Sequence, residues 1–294
     1  MTASWRRWRA GVLFLLPSLA LYLTFVVNPF IQSISFSLTD WNGASKMKEF
    51  VGLANYGELV RDPLFWGALR HNIVWVIIGT LVPLIIGMGL AHMLWTRPRG
   101  FTLFRTVYFL PHVLLSTVIG IIWAWIYNPI FGILNKGLDA VGLQSVSRGW
   151  LGDPDTALLA VLAAAIWGTV GFVFVILLAG LQNVSRDLLE AATLDGASGW
   201  QKFRDVTIPE MANVLNVVTA LLLIGGFAVF DLVYVMTGGG PNNASQTLST
   251  YTYEQAFAQN RVGYGAALSL VMTGISLVAA LVFMRLRERG EEPR

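Results

Sequence analysis

The 294-residue sequence contains no cysteine. Disulfides, thiol nucleophiles and cysteine-ligated metal centres are therefore excluded. Histidine is scarce too. His71, His92 and His112 are about twenty residues apart and form no His-Glu-x-x-His pattern, so they read as packed or interfacial side chains. Charged residues make up only 13% of the chain, against ~25% in soluble domains. The net charge of +3 is too small for a nucleic-acid footprint. No Gly-x-x-x-x-Gly-Lys-Ser/Thr run occurs; Gly238, Gly239, Gly240 and Pro241 lack the lysine and read as a turn. No Ser-His-Asp set can be assembled. A membrane-embedded enzyme would need convergent His, Asp or Glu within the apolar runs; the histidines are spread apart, and Asp231 is the one acid well inside a run. Hence no catalytic residue and no metal site is expected.

What the chain has is hydrocarbon. It is 55% hydrophobic with a mean hydropathy of +0.62. Six apolar runs stand out: Ala10 to Val27, His71 to Trp95, Phe101 to Tyr127, Thr156 to Leu181, Pro209 to Met236 and Tyr264 to Met284. At ~1.5 Å per residue each is long enough to cross a hydrocarbon layer of ~30 Å. The fold class is therefore all-α, a polytopic membrane protein with six transmembrane helices. The first run, with Arg6, Arg7 and Arg9 before it, has the look of a signal peptide, but its length and the membrane character of the rest favour an uncleaved helix. Arg97, Pro98 and Arg99 break the second run from the third, and Asn128 with Pro129 marks the turn after the third.

Basic residues favour the cytoplasmic side. With both termini inside, the inner segments hold most of the Lys and Arg: Arg6, Arg7, Arg9, Arg97, Arg99, Arg105, Arg186, Lys202, Arg204, Arg285, Arg287, Arg289 and Arg294. This divides the chain into a cytoplasmic N-terminus (1–10), a six-helix transmembrane domain (11–286) with a cytoplasmic loop at 183–208, and a cytoplasmic charged tail (287–294).

That loop is a polar island between two long apolar runs. Ser185 is placed to N-cap a short helix whose positive end suits Asp187 and Glu190. Leu188, Leu189 and Ala192 give it an apolar side, and Gly196 is a natural stop. Ser198 is placed to cap a second turn carrying Trp200 and Phe203; Thr207 and Glu210 have capping-box spacing, with Pro209 in the first turn of the next helix. A capped helix showing apolar residues to water needs a partner, either a soluble protein or the lipid headgroups.

Glu190, Ala191 and Ala192, then Gly196, Val206, Ile208 and Pro209 resemble the cytoplasmic loop of permeases of bacterial ATP-binding-cassette (ABC) importers. The runs Phe50 to Tyr56, Leu110 to Pro111, Trp150 to Pro154, Ala179 to Gln182, Phe230 to Asp231 and Thr237 to Pro241 resemble the carbohydrate-uptake branch, of maltose and glycerol-3-phosphate type. The likeness runs from about residue 11 to 286. It implies the type I importer fold and a subunit for sugar uptake in a bacterial or archaeal cell membrane. It implies a second, similar permease, two ATPase subunits that bind ATP-Mg, and an extracytoplasmic solute-binding protein, with no cofactor on this chain. It assigns coupling to the ATPase to Glu190, Ala191, Ala192, Asp195, Gly196 and Pro209. Two positions depart from the pattern, Thr193 and Glu210, where aliphatic residues are usual.

For the substrate path, Phe227, Phe230, Asp231 and Tyr234 are spaced for one helical face, and aromatic rings with a carboxylate suit sugar C–H faces and hydroxyls. Trp167, between Gly168 and Gly171, is a weaker candidate; those glycines are first of all a packing surface. The alternatives are a permease for another solute, such as glycerol-3-phosphate or a polyamine, a membrane-embedded enzyme, and a passive channel. A phosphate ester would favour cations in the central spans, which show none; a channel has no use for a docking helix. Topology is directly testable: reporters fused after Pro98 and Gly199 should report cytoplasm, and those after Gly43, Gly142 and Asn243 the outside. One inverted loop would refute the six-span arrangement.

Overall fold

The computed structural model describes residues 2–291, with side chains from 12 to 287. The side chains of Arg6, Arg7, Arg9 and Arg289, and all of Arg294, lie outside the described residues. Two compact units are present: the segment up to Asp62 with Thr252–Thr273, and Pro63–Tyr251 with the segment from Gly274.

In the first unit, α1 (Thr2–Tyr22) runs through a π-turn (Leu23–Val27) into α2 (Asn28–Ser37). The first span therefore extends ten residues beyond the expected end. Pro29 explains the π-turn, because its ring cannot accept the regular bond pattern below it. A two-stranded hairpin follows, β1 (Thr39–Asp40) with β2 (Glu49–Phe50), then α3 (Ala54–Arg61). Asn55 is buried and donates to the carbonyls of Ser37 (2.8 Å) and Thr39 (3.0 Å), while the Tyr56 hydroxyl meets Ser37 (2.8 Å). These bonds give the Phe50-to-Tyr56 run a structural role.

In the second unit, α4 (Pro63–Leu94) is followed by α5 (Phe101–Val113) and α6 (Ser116–Ile126). The third span is not the continuous helix expected: α5 and α6 meet at 99°. Leu114 and Leu115 both adopt extended backbone angles, three residues after Pro111, which removes a helical bond. Then come α7 (Ile133–Ala140) and α8 (Ala157–Leu181). The Trp150 indole donates to the buried Asn135 of α7 (2.7 Å), closing the loop before α8.

After α8 come α9 (Arg186–Leu194), α10 (Gly199–Lys202), a π-turn (Phe203–Thr207), α11 (Ile208–Glu210), α12 (Ala212–Phe227) and α13 (Asp231–Met236). The chain then forms α14 (Leu248–Tyr253) and α15 (Val262–Glu291), which occupies the sixth run. The fifth span is thus interrupted twice, by a 70° bend at Met211 and by a break between Phe227 and Asp231. Among the described residues, four helices are long and apolar enough to cross a membrane, or up to six spans if each bent pair counts as one.

The second unit has two apolar clusters. One joins Trp75, Ile119, Leu158, Val161, Leu162, Leu232 and Val233. The other joins Met88, Ala91, Val173, Phe174, Leu177, Leu181, Met211 and Val218, with Leu189 and Phe203 against it. Glycine makes the helix contacts close. A Cβ on Gly171 would lie 2.9 Å from Phe109 Cα and against the Tyr108 carbonyl oxygen. Gly171→Val should therefore destabilise the chain by about 3 kcal/mol or more, because backbone cannot move aside. Gly89→Ala, whose Cβ would meet nothing within 4 Å, should be neutral or stabilising. Thermal unfolding in detergent distinguishes them, and equal midpoints would contradict this packing.

Candidate functional site

Two features of the second unit are candidates for function: the α9–α11 loop and an internal cavity. In the loop, Ser185 occupies the N-cap of α9 with extended geometry, but its side chain makes no cap bond. Asp187 and Glu190 supply the negative charge that the N-terminal end favours. The stop is the expected one. Gly196 adopts φ +77°, Gly196 N donates to Thr193 O (3.1 Å) and Ala197 N to Ala192 O (2.9 Å), a Schellman pair. A side chain at Gly196 would meet nothing within 4 Å. A substitution there meets left-handed strain rather than a clash within the chain.

Ser198 caps α10 in a full capping box with Gln201: Gln201 N donates to Ser198 Oγ (3.3 Å) and Ser198 N to Gln201 Oε1 (2.7 Å). The box expected at Thr207 and Glu210 does not form. Thr207 is already helical, and its hydroxyl donates to Lys202 O (3.3 Å), because the helix runs on through the π-turn before Pro209. Thr193 gains a role here. Its Oγ1 accepts a bond from Lys202 Nζ (3.2 Å) and donates to Leu189 O (2.7 Å), so α9 is tied to α10. An aliphatic residue would lack this tie. At the base, His92 packs edge-on against Phe203 (5.3 Å), which lies against Trp200 (5.7 Å).

The loop is thus anchored on one side and bare on the other. Leu189 packs on the second cluster and Ala192 is half-buried, whereas Leu188 is exposed, Leu194 is 90% exposed and Trp200 66%. Glu190, Ala191, Asp195 and Pro209 are exposed as well. Glu190, Arg186, Lys202 and His92 line a cleft of about 460 Å³ beside α4.

The cavity, of about 310 Å³, is lined by α4, the α5–α6 bend, α8, α12 and α13. Trp75, His112, Ser116 and Thr169 contribute polar groups; leucines, glycines and Val229 complete the wall. His112 stacks on Phe172 (4.8 Å), and its Nδ1 lies 3.3 Å from Gly168 O. A carbonyl only accepts, so Nδ1 carries the hydrogen and a neutral ring presents Nε2 as an acceptor. None of the lining residues carries a formal charge when His112 is neutral.

The stripe expected from spacing is not one helical face. Phe227 ends α12 and is buried; Phe230, Asp231 and Tyr234 follow the break. Phe230 and Tyr234 stack in parallel at 5.1 Å, with Asp231 exposed beside them. Trp167 lies edge-on to Trp123 (5.9 Å) in a separate apolar cleft near Tyr108 and Pro111. His71 contacts Gln246 O at 2.8 Å.

Residues 79–289 match the family described as the inner membrane component of binding-protein-dependent transport systems. The chain belongs to this family. A probable ABC transporter permease of Bacillus subtilis, YurN, is 39% identical over 95% of this chain and 96% of its own. The diacetylchitobiose uptake system permease NgcF of Streptomyces coelicolor is 35% identical over 93% of this chain and 81% of its own. In shape, the permease matches a chain of a bacterial alginate ABC transporter, solved with an alginate pentasaccharide-bound periplasmic protein, at TM-score 0.85 and 20% identity over 97% and 96% of the two chains.

Residue spacing missed His112, Ser116 and Thr169, because they converge across two helix breaks. Pro111 before a Leu-Leu pair was the available signal for one. For the loop of this permease, the open space around Gly196 makes a graded prediction. Gly196→Ala should cost about 1 kcal/mol of local stability, and Gly196→Asn less, since Asn tolerates the left-handed region. Amide exchange over residues 186–202 reads both; equal protection in all three proteins would refute the capped stop.

Proposed function

We propose that this permease is the transmembrane subunit of an ATP-driven sugar importer and forms half of its translocation path. The cavity carries the reading: an indole, an imidazole and two hydroxyls, with no Asp, Glu, Lys or Arg in the wall, suit a polyhydroxylated, uncharged solute. Its volume lies at the lower end of the ~300–1,000 Å³ range of small-molecule sites. The sugar-uptake name of NgcF supports this reading. A glycerol-3-phosphate or polyamine permease would want a formal charge in the wall. The Phe230–Tyr234 stack with Asp231 is a second surface of carbohydrate type.

In this reading both termini and the α9 loop are cytoplasmic. The chain binds no cofactor and is not itself an enzyme; two separate ATPase subunits bind ATP-Mg and hydrolyse it. An extracytoplasmic binding protein delivers the sugar. A second, similar permease completes the path, and the first span suits such a neighbour or lipid, since none of its apolar window is buried within its own chain.

Glu190, Ala191, Ala192, Asp195, Gly196 and Pro209 form the coupling element. Leu188, Leu194 and Trp200 offer an ATPase the apolar surface that water disfavours. When ATP closes the ATPase pair, α9 moves as one piece, because the Schellman stop and the Thr193–Lys202 bond make it stiff. The motion reaches α12 through α10, α11 and Met211, which is buried in the core. Leu221, Leu222, Gly225 and Gly226 of α12 are cavity wall, so the path alternates between sides.

The test is the purified complex in lipid. Glu190→Lys and Gly196→Asp should abolish uptake through loss of ATPase association or of binding-protein-stimulated hydrolysis, while the binding protein alone still binds sugar. Thr169→Trp should block uptake at least ~10-fold with all subunits retained, because an indole would fill the cavity. Unchanged subunit retention, hydrolysis and uptake in the two loop variants would refute the coupling role. Unchanged uptake in Thr169→Trp would refute the route.

A further inference from the structure

Asn72 on α4 is fully buried and makes three hydrogen bonds to distant backbone. Its Nδ2 donates to Gly226 O and Phe227 O, each at 3.2 Å, and its Oδ1 accepts from Leu248 N at 2.7 Å. The two carbonyls belong to the last turn of α12, where the helix stops. The amide is the first of α14. Beside it, the Thr247 hydroxyl donates to Val229 O (3.2 Å), inside the break. Asn72, Ser245, Gln246, Thr247 and Leu248 are each at most 3% exposed, so the knot is a closed layer rather than a rim.

The knot is joined directly to the cavity. Gly226 and Val229, whose carbonyls it holds, line the cavity wall, as does Trp75, one turn along α4 from Asn72. It lies on the α13 side of α12, away from the α9 loop. A continuous helix would satisfy its own carbonyls and need no asparagine. Here the helix is interrupted, and the orphaned groups are held by a side chain that can let go.

We propose that Asn72 is a latch that holds the outer end of the cavity closed and releases the end of α12 when the path opens outward. It is a positioning residue, acting through the Gly226 and Phe227 carbonyls and the Leu248 amide. The inference rests on reading the cavity as the substrate route. Motion of the coupling element arrives at the opposite end of α12, so the latch is where that helix parts from α13. Thr247 is the auxiliary catch.

The absence of native cysteine makes the test clean. Ser116→Cys places one thiol in the cavity, and the complete importer in sealed, right-side-out vesicles is treated with a membrane-impermeant maleimide from outside, without ATP. Adding Asn72→Leu, which keeps the branched shape and loses every bond, should raise the labelling rate about tenfold, and adding Thr247→Val about threefold. Hydrolysis without binding protein should rise in parallel, which simple loss of stability would lower. Unchanged labelling and hydrolysis in both, with all subunits retained, would overturn the latch. If Asn72→Leu does not assemble, Thr247→Val decides by the same criterion. Thr169→Trp separates the two readings. Uptake that survives it removes the route and the latch with it. Uptake blocked by it, with labelling unchanged in the latch variants, removes the latch alone.

Discussion

A backbone carbonyl in hydrocarbon has no water to turn to, and leaving it unpaired costs several kcal/mol. The two breaks in the helices of this permease depend on that constraint. A transporter needs irregular backbone around its cavity, since regular helices lock together. The α5–α6 bend confines the irregularity to Leu114 and Leu115, with Leu114 N donating to Pro111 O (3.2 Å) and Ile119 N to Leu115 O (3.1 Å). The α12–α13 break is met by donors from elsewhere: Asn72 for Gly226 and Phe227, Thr247 for Val229. The cavity lies between these two repairs.

The α9–α11 loop, proposed above as the coupling element, is built differently. It is short helices joined by a Schellman stop, a capping box and the Thr193–Lys202 bond, and its base is held by Leu189 and Phe203 in the apolar core. Each cap contributes on the order of 1 kcal/mol. In the proposed mechanism, that stiffness is what would let α9 transmit a push rather than absorb it. The gradient from a capped, anchored loop to a broken, side-chain-repaired helix runs along α10 to α13, continuous in sequence.

Much of this was legible in the residues. The apolar runs located the four long apolar helices and the two bent pairs, and the loop declared itself through Ser198, Gly196 and its polar composition. Local rules failed where a local signal had a distant competitor. Thr207 and Glu210 have the spacing of a capping box, yet the π-turn before Pro209 keeps the helix going. Phe227 to Tyr234 have the spacing of one face, yet the break at Ala228 to Phe230 separates them. Gly225 and Gly226 before it were the local signal, and the side chain that holds the freed carbonyls, Asn72, lies more than 150 residues earlier. The partners of His112, Ser116 and Thr169 were hidden for the same reason, since convergence across helices is not written at any single position. The strands of the hairpin and the short α7 and α14 were missed because such brief elements carry little periodicity.

The central claim is that the bare side of α9 is covered by a soluble ATPase. Leu194, the most exposed apolar residue of that helix, is the place to ask. A spin label on Leu194→Cys, in a chain with no other thiol, reports its surroundings in the reconstituted permease with and without ATPase subunits. A docking lever predicts a mobile, water-accessible label that becomes immobilised and shielded from water-soluble relaxants when the ATPase is added, and that shifts again on adding ATP. A label shielded by lipid from the start, and unchanged by the ATPase, would show that α9 lies on the membrane and would contradict the coupling role.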